Sequence, residues 1–309
     1  MSLDTRITLH KLEVFCLVVE LGGIGKAAKH LYLAQPVVST HIRDLQKRLG
    51  VVLMERNGRH LEVNEAGTAV YEWARTTLTR GHELTRELEN LVSGQGGRAV
   101  IAATTSLGSY LLPSLLTTFQ ETRPGCLISL DVADPEQVLE RVQSGVADFG
   151  LLPSAEAPDP VHFEATELGH EPIILVAAPG HAPATDHITT DELAQLPHLS
   201  SQRGNARRDI VDAALRQIGV EVGPVMLELG NPEASKLAVG QGSGVTFLFR
   251  HSVLAELESG QLRQITFDGS DRLTTRIFLV TRREKRMSAL QRELADHLRS
   301  TVQVELAAA

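Results

Sequence analysis

Residues Gly25 to Met54 read GKAAKHLYLAQPVVSTHIRDLQKRLGVVLM, and they predict the architecture of the N-terminal part of the chain. A short helix is predicted from about Ile24 to Leu31, and its small pair Ala27-Ala28 lets a neighbouring helix approach closely. A turn over 32–34 follows, and Pro36 then favours a new helix, because its missing N–H has no partner at a helix start. The pattern therefore predicts two helices joined by a tight turn.

The second of these helices, which begins at Gln35, is amphipathic. Its apolar residues are predicted to face inward: Val37, Val38, Ile42, Leu45 and Leu49. Its polar residues remain outside: Gln35, Ser39, Thr40, Arg43 and Lys47. Glutamine bonds adenine through N6 and N7, and small hydroxyls reach bases or phosphates, so this face suits the major groove of DNA. The alternative interpretation is an ordinary solvated helix face.

A further helix is predicted before this pair. Thr8 can cap its first turn, and Gly22-Gly23 ends it. The apolar stripe of this helix recurs at helical spacing and is predicted to be buried: Leu9, Leu12, Phe15, Cys16 and Val19. Residues 53–63 then form a basic hairpin, since Asn57-Gly58 is a strong two-residue turn signal. This wing would carry Arg56, Arg59 and His60. These side chains would contact phosphates or a narrow minor groove.

With these features together, residues 27–67 resemble the winged helix-turn-helix of the LysR-type transcriptional regulators. The residues that carry the resemblance are Ala27, Ala28, Leu31, Gln35, Pro36, Val38, Ser39, Ile42, Leu45, Leu49, Gly50, Leu53, Arg56, Glu65, Ala66 and Gly67. The chain departs from the usual pattern at Ala34, Met54, Asn64 and Thr40, and Thr40 removes an expected phosphate contact. The predicted DNA-binding residues are Lys26, Gln35, Pro36, Ser39, Thr40, Arg43, Arg56, Arg59 and His60.

Composition and charge place DNA contact at the N-terminus. The chain has 309 residues, 42% of them hydrophobic, and a net charge of −8. Residues 1–66 carry a net charge of +2, whereas residues 94–309 carry −9.

Cys16 and Cys126 lie far apart in the sequence and outside any CxxC motif, as expected for small hydrophobic residues in a reducing compartment. We see neither a signal peptide nor a membrane-length apolar run, so a cytoplasmic protein without a membrane partner is expected.

The segment from about Glu65 to Val92 is predicted to be one long helix without proline. Its seam positions alternate in steps of four and three: Val70, Ala74, Thr77, Gly81, Leu84, Leu88 and Leu91. Such a seam favours pairing with a second copy, although a helix packed on its own domain is the alternative. A dimer would place two reading helices on half-sites about one or two DNA turns apart. We therefore expect a homodimer through this helix and, from the family, a tetramer.

The predicted domains are a winged helix-turn-helix at 1–66, a linker helix at 67–93 and an effector domain at 94–309. After residue 98, strands alternate with helices, which indicates α/β architecture with mostly parallel sheets. The element order suggests lobe I at 98–166 with 272–305, and lobe II at 167–271. The resemblance implies the same fold class: α plus α/β, with a two-lobed effector domain like the type 2 periplasmic binding proteins.

Ligands of such sheets bind where strands end and helices begin. Three stretches fit this description, and Arg203 and Arg207 add positive charge. The candidate ligand-binding residues are Thr104, Thr105, Ser106, Ser201, Gln202, Arg203, Asn205, Asn231 and Thr246. They suggest a small anionic metabolite such as a carboxylate or phosphate, whose identity the sequence leaves open. The alternative is that the Ser and Asn residues only cap helices.

An enzymatic function has little support in the sequence. Gly240 to Gly244 precedes a strand rather than a helix, so it does not form a dinucleotide-binding turn. GxSxG, HExxH and P-loop motifs do not occur in the sequence, and we expect neither a catalytic residue nor a metal or cofactor. The predicted function is a ligand-responsive regulator that binds double-stranded promoter DNA and works with RNA polymerase. The alternative is a constitutive regulator whose C-terminal domain only oligomerises.

Overall fold

The structure is a computed structural model that describes residues 6–57, 60–93, 96–283 and 285–308. The chain forms two compact units. Unit 1 comprises Met1–Val92 with Ser144–Val146, and unit 2 comprises Ser93–Gln143 with Ala147–Ala309. Each unit is described by itself below.

Unit 1 is built from helices and one hairpin. Its elements are α1 Leu9–Glu20, α2 Ile24–His30, α3 Gln35–Leu49, β1 Met54–Asn57, β2 His60–Val63 and α4 Glu65–Ser93. The Thr8 hydroxyl accepts a hydrogen bond from the Lys11 amide and so caps α1, as predicted. α3 begins at Gln35 with proline in its first turn and ends at Gly50, whose φ of 72° is left-handed. β1 and β2 pair antiparallel, which forms the predicted hairpin.

The core of unit 1 contains most of the predicted apolar positions. Ala27 and Ala28 are buried between the helices, and α3 contributes Val38, Ile42, Leu45 and Leu49. The prediction for Val37 was wrong, because this side chain is 42% exposed. Successive residues of a helix are about 100° apart around its axis. Because Val38 faces the core, its neighbour Val37 points toward solvent.

The predicted stripe of α1 also needs correction. Leu9 is 53% exposed and Val19 is only half-buried. Val14 and Val18 are fully buried instead, next to Phe15. α1 is enclosed on a wider arc than a single stripe, because α3 and the other elements of unit 1 pack around it.

The first turn of α4 lies close to the loop before the hairpin. A Cβ atom at Gly67 would sit 2.1 Å from the Leu53 carbonyl oxygen, so only glycine fits there. Asn64 caps this helix, since its Oδ1 accepts from the Gly67 amide at 2.9 Å and its Nδ2 donates to the Val52 carbonyl oxygen at 3.0 Å. The asparagine therefore performs the capping that the family's more frequent threonine would provide.

The predicted seam of α4 divides into two parts. Val70 and Ala74 pack against the core of unit 1, so these two positions are used within the chain. Further along, Leu84 and Leu88 are 55% and 52% exposed. These two leucines leave an apolar surface on the second half of α4, which is the part available for pairing with a second copy.

Unit 2 alternates strands with helices. Its strands are β3 Arg98–Ala103, β4 Leu127–Val132, β5 Phe149–Ser154, β6 Phe163–Ala177, β7 His187–Ile188, β8 His198–Ser200, β9 Val225–Glu228, β10 Val245–Phe249, β11 Arg263–Phe267 and β12 Thr274–Arg282. Its helices are α5 Leu112–Thr122, α6 Pro135–Gln143, α7 Thr190–Leu193, α8 Ala206–Gln217, α9 Pro232–Gly240, α10 Leu254–Glu258 and α11 Ala289–Ala308. A π-helical turn, Leu107–Leu111, leads into α5.

Two sheets share the long strand β6. One sheet has the order β4-β3-β5-β12-β6, and the other continues from β6 to β10, β8 and β9. Phe163–Pro172 pair with β12, whereas Ile173–Ala177 pair with β10 and β11. The change of partners at Pro172/Ile173 lies six residues after the lobe boundary suggested by the sequence. The pairs around β6 and β12 are antiparallel, so the sheets are mixed rather than mostly parallel.

The exposed leucines of α4 give a first prediction. Leu88→Asp places a charge in the apolar surface and should weaken self-association by roughly 3 kcal/mol per dimer, or about a hundredfold in Kd. His82→Asp is the matched control, because His82 is exposed on the same helix away from Leu84 and Leu88. Sedimentation equilibrium measures both. If Leu88→Asp associates as tightly as the wild-type chain, α4 does not pair through this surface.

Candidate DNA-reading face and effector cleft

The reading face is the outward side of α3, formed by Gln35, Pro36, Thr40 and Arg43. All four are exposed, whereas Ser39 is half-buried. Lys26, on the neighbouring helix α2, is exposed as well. The structure thus places six of the predicted DNA-binding residues on α2 and α3.

Some polar groups on this face already have partners. The Thr40 hydroxyl donates to the Pro36 carbonyl oxygen at 2.9 Å, and Arg43 Nε donates to the Ser39 carbonyl oxygen at 3.4 Å. The Gln35 amide lies over Gly25, where a Cβ atom would be 3.1 Å from Nε2. Because Gly25 leaves that space open, the Gln35 amide lies at the junction of α2 and α3.

The wing is described only in part. Arg56 and His60 lie in β1 and β2, but their side chains are outside the described residues, as is the whole of Arg59. Their predicted contacts with DNA remain predictions. The sequence analysis did not select Tyr32 or Val37, although both are exposed large side chains in or beside the turn before α3. Tyr32 is 96% exposed, and its φ of 55° is the only positive value given for a non-glycine residue among those described.

The effector cleft lies in unit 2 and encloses about 90 Å³. Five predicted ligand-binding residues line it: Thr104, Thr105, Ser106, Asn205 and Asn231. Thr104 follows β3, and its N–H donates to the Leu151 carbonyl oxygen, which places it at the carboxyl end of the sheet. The helices α6, α8 and α9 begin at the same cleft with Pro135, Ala206 and Pro232. Helix N-termini favour anions, because their free N–H groups and dipoles present positive charge.

Two polar groups in the cleft lack partners. Thr104 is 5% exposed, and its Oγ1 makes no hydrogen bond within the described residues. Arg207 Nε donates to Ser201 Oγ at 2.7 Å, but the buried Nη1 atom finds no hydrogen-bond partner in the described ranges. Burial lowers the pKa of Arg207 to about 10, so the guanidinium is still charged at neutral pH. A guanidinium N–H group and a hydroxyl that are buried and find no partner in the described ranges are the groups that an anion would satisfy.

The remaining candidates lie outside this cleft. Gln202 and Arg203 are exposed beyond it. Ser201 supports Arg207 from an adjoining cavity, and the buried Thr246 hydroxyl donates to the Leu199 carbonyl oxygen at 2.9 Å. For Thr246, the sequence could not show which face of the strand its side chain occupies. Strand residues alternate between two faces, so a difference of one residue decides the side.

Helix capping accounts for part of the role of the two asparagines. Asn205 Oδ1 accepts from the Arg207 amide at 3.0 Å, and Asn231 Oδ1 accepts from the Ala234 amide at 2.8 Å. Both residues therefore cap helices and also line the cleft. Their capping fixes the starts of α8 and α9, which hold the cleft from the side of lobe II.

Two polar contacts join the lobes beside the cleft. Tyr110 OH donates to Glu233 Oε1 at 2.5 Å, and Lys236 Nζ lies 2.6 Å from the same carboxylate. Burial and the Glu233 carboxylate raise the pKa of Tyr110, so its phenol stays protonated and can donate. The sequence analysis missed this contact, because a tyrosine and a glutamate in separate elements give no local signal.

The second contact reaches the loop after β3. His251 Nε2 lies 3.0 Å from the Ser106 carbonyl oxygen, and Nδ1 lies 2.7 Å from Glu171 Oε2. Glu171 is fully buried in β6, one residue before Pro172. The His251 backbone N–H also donates to Glu171 Oε1 at 3.1 Å, which holds this histidine beside β6. Ser106 is thus tied to the strand that both sheets share.

These features define a DNA-binding protein with a winged helix-turn-helix and a two-lobed ligand-binding domain. The family model "Bacterial regulatory helix-turn-helix protein, lysR family" matches residues 9–68, and "LysR substrate binding domain" matches residues 93–303. The chain belongs to the LysR family of transcriptional regulators, as the sequence analysis predicted. Proteins of this family bind DNA and form oligomers.

Relatives and solved structures agree with this family. The HTH-type transcriptional regulator YeiE of Escherichia coli strain K12 is 32% identical over 94% of this chain and 97% of its own length. The crystal structure of full-length CbnR with its target DNA has a TM-score of 0.58 at 20% identity, over 96% and 100% of the two chains. The regulatory domain of Synechocystis PCC6803 CcmR in complex with 2-PG has a TM-score of 0.58 at 25% identity, over 66% and 97%.

Across the described ranges, every helix is too short or too polar to cross a membrane.

The reading face gives a second prediction. Gln35→Ala removes the amide that can pair with adenine, so binding to the specific duplex should weaken by roughly 1–3 kcal/mol and base preference should relax. Fluorescence anisotropy on specific and unrelated duplexes measures both effects. Equal losses on the two duplexes would show that Gln35 does not read a base.

The unpaired guanidinium gives a third prediction. Arg207→Met removes a buried charge that lacks a counterion, so the free energy of unfolding without added anion should rise by about 1 kcal/mol. The neighbouring Arg208→Met is the matched control, because Arg208 pairs with Glu228 at 2.6 Å and Asp212 at 3.5 Å and should be stabilising. Urea denaturation compares the two variants. A loss of stability in Arg207→Met as large as in Arg208→Met would contradict the assignment.

Proposed function

We propose that this LysR-family regulator binds a small anion in the effector cleft and that the anion controls its action on promoter DNA. The observation that carries the proposal is the convergence of Arg207 Nη1 and Thr104 Oγ1, two buried groups without partners in the described parts of the chain, on one cleft. The starts of three helices support an anion at the same place. A cleft of about 90 Å³ suits a compact carboxylate or oxyanion.

The anion would act by shifting a conformational equilibrium. Thr104 and Ser106 belong to lobe I, whereas Arg207 and Asn231 belong to lobe II, so a bound anion contacts both lobes. It can favour one lobe arrangement only through a difference in affinity between arrangements. The Tyr110–Glu233 and His251–Ser106 contacts cross the same junction and would change with it. The CcmR regulatory domain in complex with 2-PG supports a small-molecule role for this type of domain.

On the DNA side, the reading face of α3 would lie in the major groove. Lys26 on α2 and the wing residues Arg56, Arg59 and His60 would contact the backbone or the minor groove. Pairing through α4 would give a dimer, or a dimer of dimers, with two reading helices for each pair. In this proposal the chain is a regulator rather than an enzyme, and it needs no cofactor. It works in the cytoplasm, on promoters that RNA polymerase uses.

The fourth prediction tests the effector directly. Malate, fructose 6-phosphate, sulfate and sulfite are each titrated into the full-length chain while its melting temperature is recorded. At least one should raise the melting temperature, with a stabilisation that grows with the logarithm of the anion concentration and reaches about 2.7 kcal/mol at one hundred times its Kd. Arg207→Met should lose this rise and Arg208→Met should keep it.

The outcome also decides between the two candidate functions. A concentration-dependent rise in melting temperature, from an anion that also changes the footprint on the target duplex, supports the ligand-responsive regulator. A chain that binds DNA specifically but shows no rise with any of these anions would instead favour the constitutive regulator, in which the C-terminal domain only oligomerises. The exposed leucines of α4 indicate oligomerisation under either candidate, so they do not decide between the two.

A further inference from the structure

The first turns of α3 carry apolar groups on the reading face. Pro36 was predicted to lie there, whereas Val37 was predicted to face inward. Val37 is 42% exposed, and Pro36 and Thr40 are exposed as well. With 3.6 residues per turn, these three positions lie within an arc of about 100° on one side of the helix. We call Pro36, Val37 and Thr40 the methyl strip. Val38 and Ile42, on the opposite side, fill the core.

Thr40 contributes its methyl group rather than its hydroxyl hydrogen to this strip. Its hydroxyl donates to the Pro36 carbonyl oxygen at 2.9 Å, so that hydrogen is already used within the helix. The Cγ2 methyl group of this exposed residue is then the group that offers an apolar contact. This local bond reverses the role that the sequence predicted for Thr40, which was a hydroxyl contact to a base or phosphate.

The surroundings of the strip are those of a DNA-binding surface. Residues 24–49 contain five basic side chains and one acidic side chain, Asp44, which pairs with Lys11 at 3.4 Å. The Gln35 and Arg43 side chains flank the strip and are exposed. The methyl strip is therefore an apolar surface surrounded by basic and amide side chains. Such a surface fits a partner that carries phosphates and has an isolated apolar group in its groove.

Thymine is the base that presents a methyl group in the major groove, next to its O4 acceptor. We propose that Val37 and Thr40 are specificity-determining residues that contact thymine methyl groups in each half-site. The inference rests on the proposed use of α3 as the reading helix. The inference adds a preference for thymine at the base pairs that face the methyl strip. This preference is additional to any adenine that Gln35 recognises.

The test removes single methyl groups from the DNA. The full-length chain first selects its duplex from a randomised pool, and each thymine of the selected site is then replaced by deoxyuridine, which lacks only the C5 methyl group. Loss of one buried methyl contact should weaken binding about fourfold at one or two thymines in each half-site. Fluorescence anisotropy at constant salt gives the affinities.

Two variants identify the protein groups. Val37→Thr keeps the side-chain shape but replaces a methyl group by a hydroxyl, and Thr40→Ser removes the methyl group while keeping the bond to Pro36. Each variant should abolish the deoxyuridine penalty at one thymine. Val304→Thr is the matched control, because Val304 is 66% exposed on α11, and it should leave every penalty unchanged. Circular dichroism melting checks that the variants remain folded.

Failure of the thymine assignment and failure of the proposed DNA reading by α3 give different results. A specific duplex with no deoxyuridine penalty, or penalties that survive both Val37→Thr and Thr40→Ser, overturns the thymine assignment while leaving DNA reading by α3 intact. A change of oligomeric state in Val37→Thr with unchanged DNA affinities also overturns it, and would assign the strip to a protein contact. A pool from which no sequence is enriched overturns the proposed DNA reading together with this inference.

Discussion

The arrangement of the effector domain depends on one strand, β6, which forms hydrogen bonds in two sheets. Residues 163–172 lie against β12 and residues 173–177 against β10 and β11, so each lobe is attached to the other through continuous backbone. The buried carboxylate of Glu171 lies where the partners change and contacts His251, which reaches Ser106 in the cleft. The cleft is therefore linked to the crossing strand through His251.

Two buried polar groups in the cleft disfavour the folded state. Thr104 Oγ1 and Arg207 Nη1 make no hydrogen bond within the described ranges, so neither regains the hydrogen bonds that water provided. Nearby, Arg208 and Lys236 have carboxylate partners. The proposed anion would supply the partner that Arg207 Nη1 lacks among the described residues, with Ser201 holding the guanidinium in position.

Local signals in the sequence were sufficient for several elements and insufficient for others. The Thr8 cap, the start of α3 at Gln35 and the β1–β2 hairpin agree with the sequence, because each depends on neighbouring residues. The first part of β6 was missed, since Glu164 to Glu167 are exposed and only pairing with β12 makes them a strand. The exposure of Val37, the partners of Tyr110 and His251, and the free Nη1 of Arg207 depend on contacts between distant segments, which no local pattern contains.

The proposed effector site depends on Arg207, whose Nη1 atom has no hydrogen-bond partner in the described ranges. The most direct measurement is nitrogen-15 NMR of arginine side chains in the full-length chain during titration with an anion that stabilises it. The guanidinium signal that is absent from the Arg207→Met spectrum should shift with anion concentration and reach a plateau. An unchanged Arg207 signal, with shifts at other arginines, would place the anion elsewhere and overturn the proposed site.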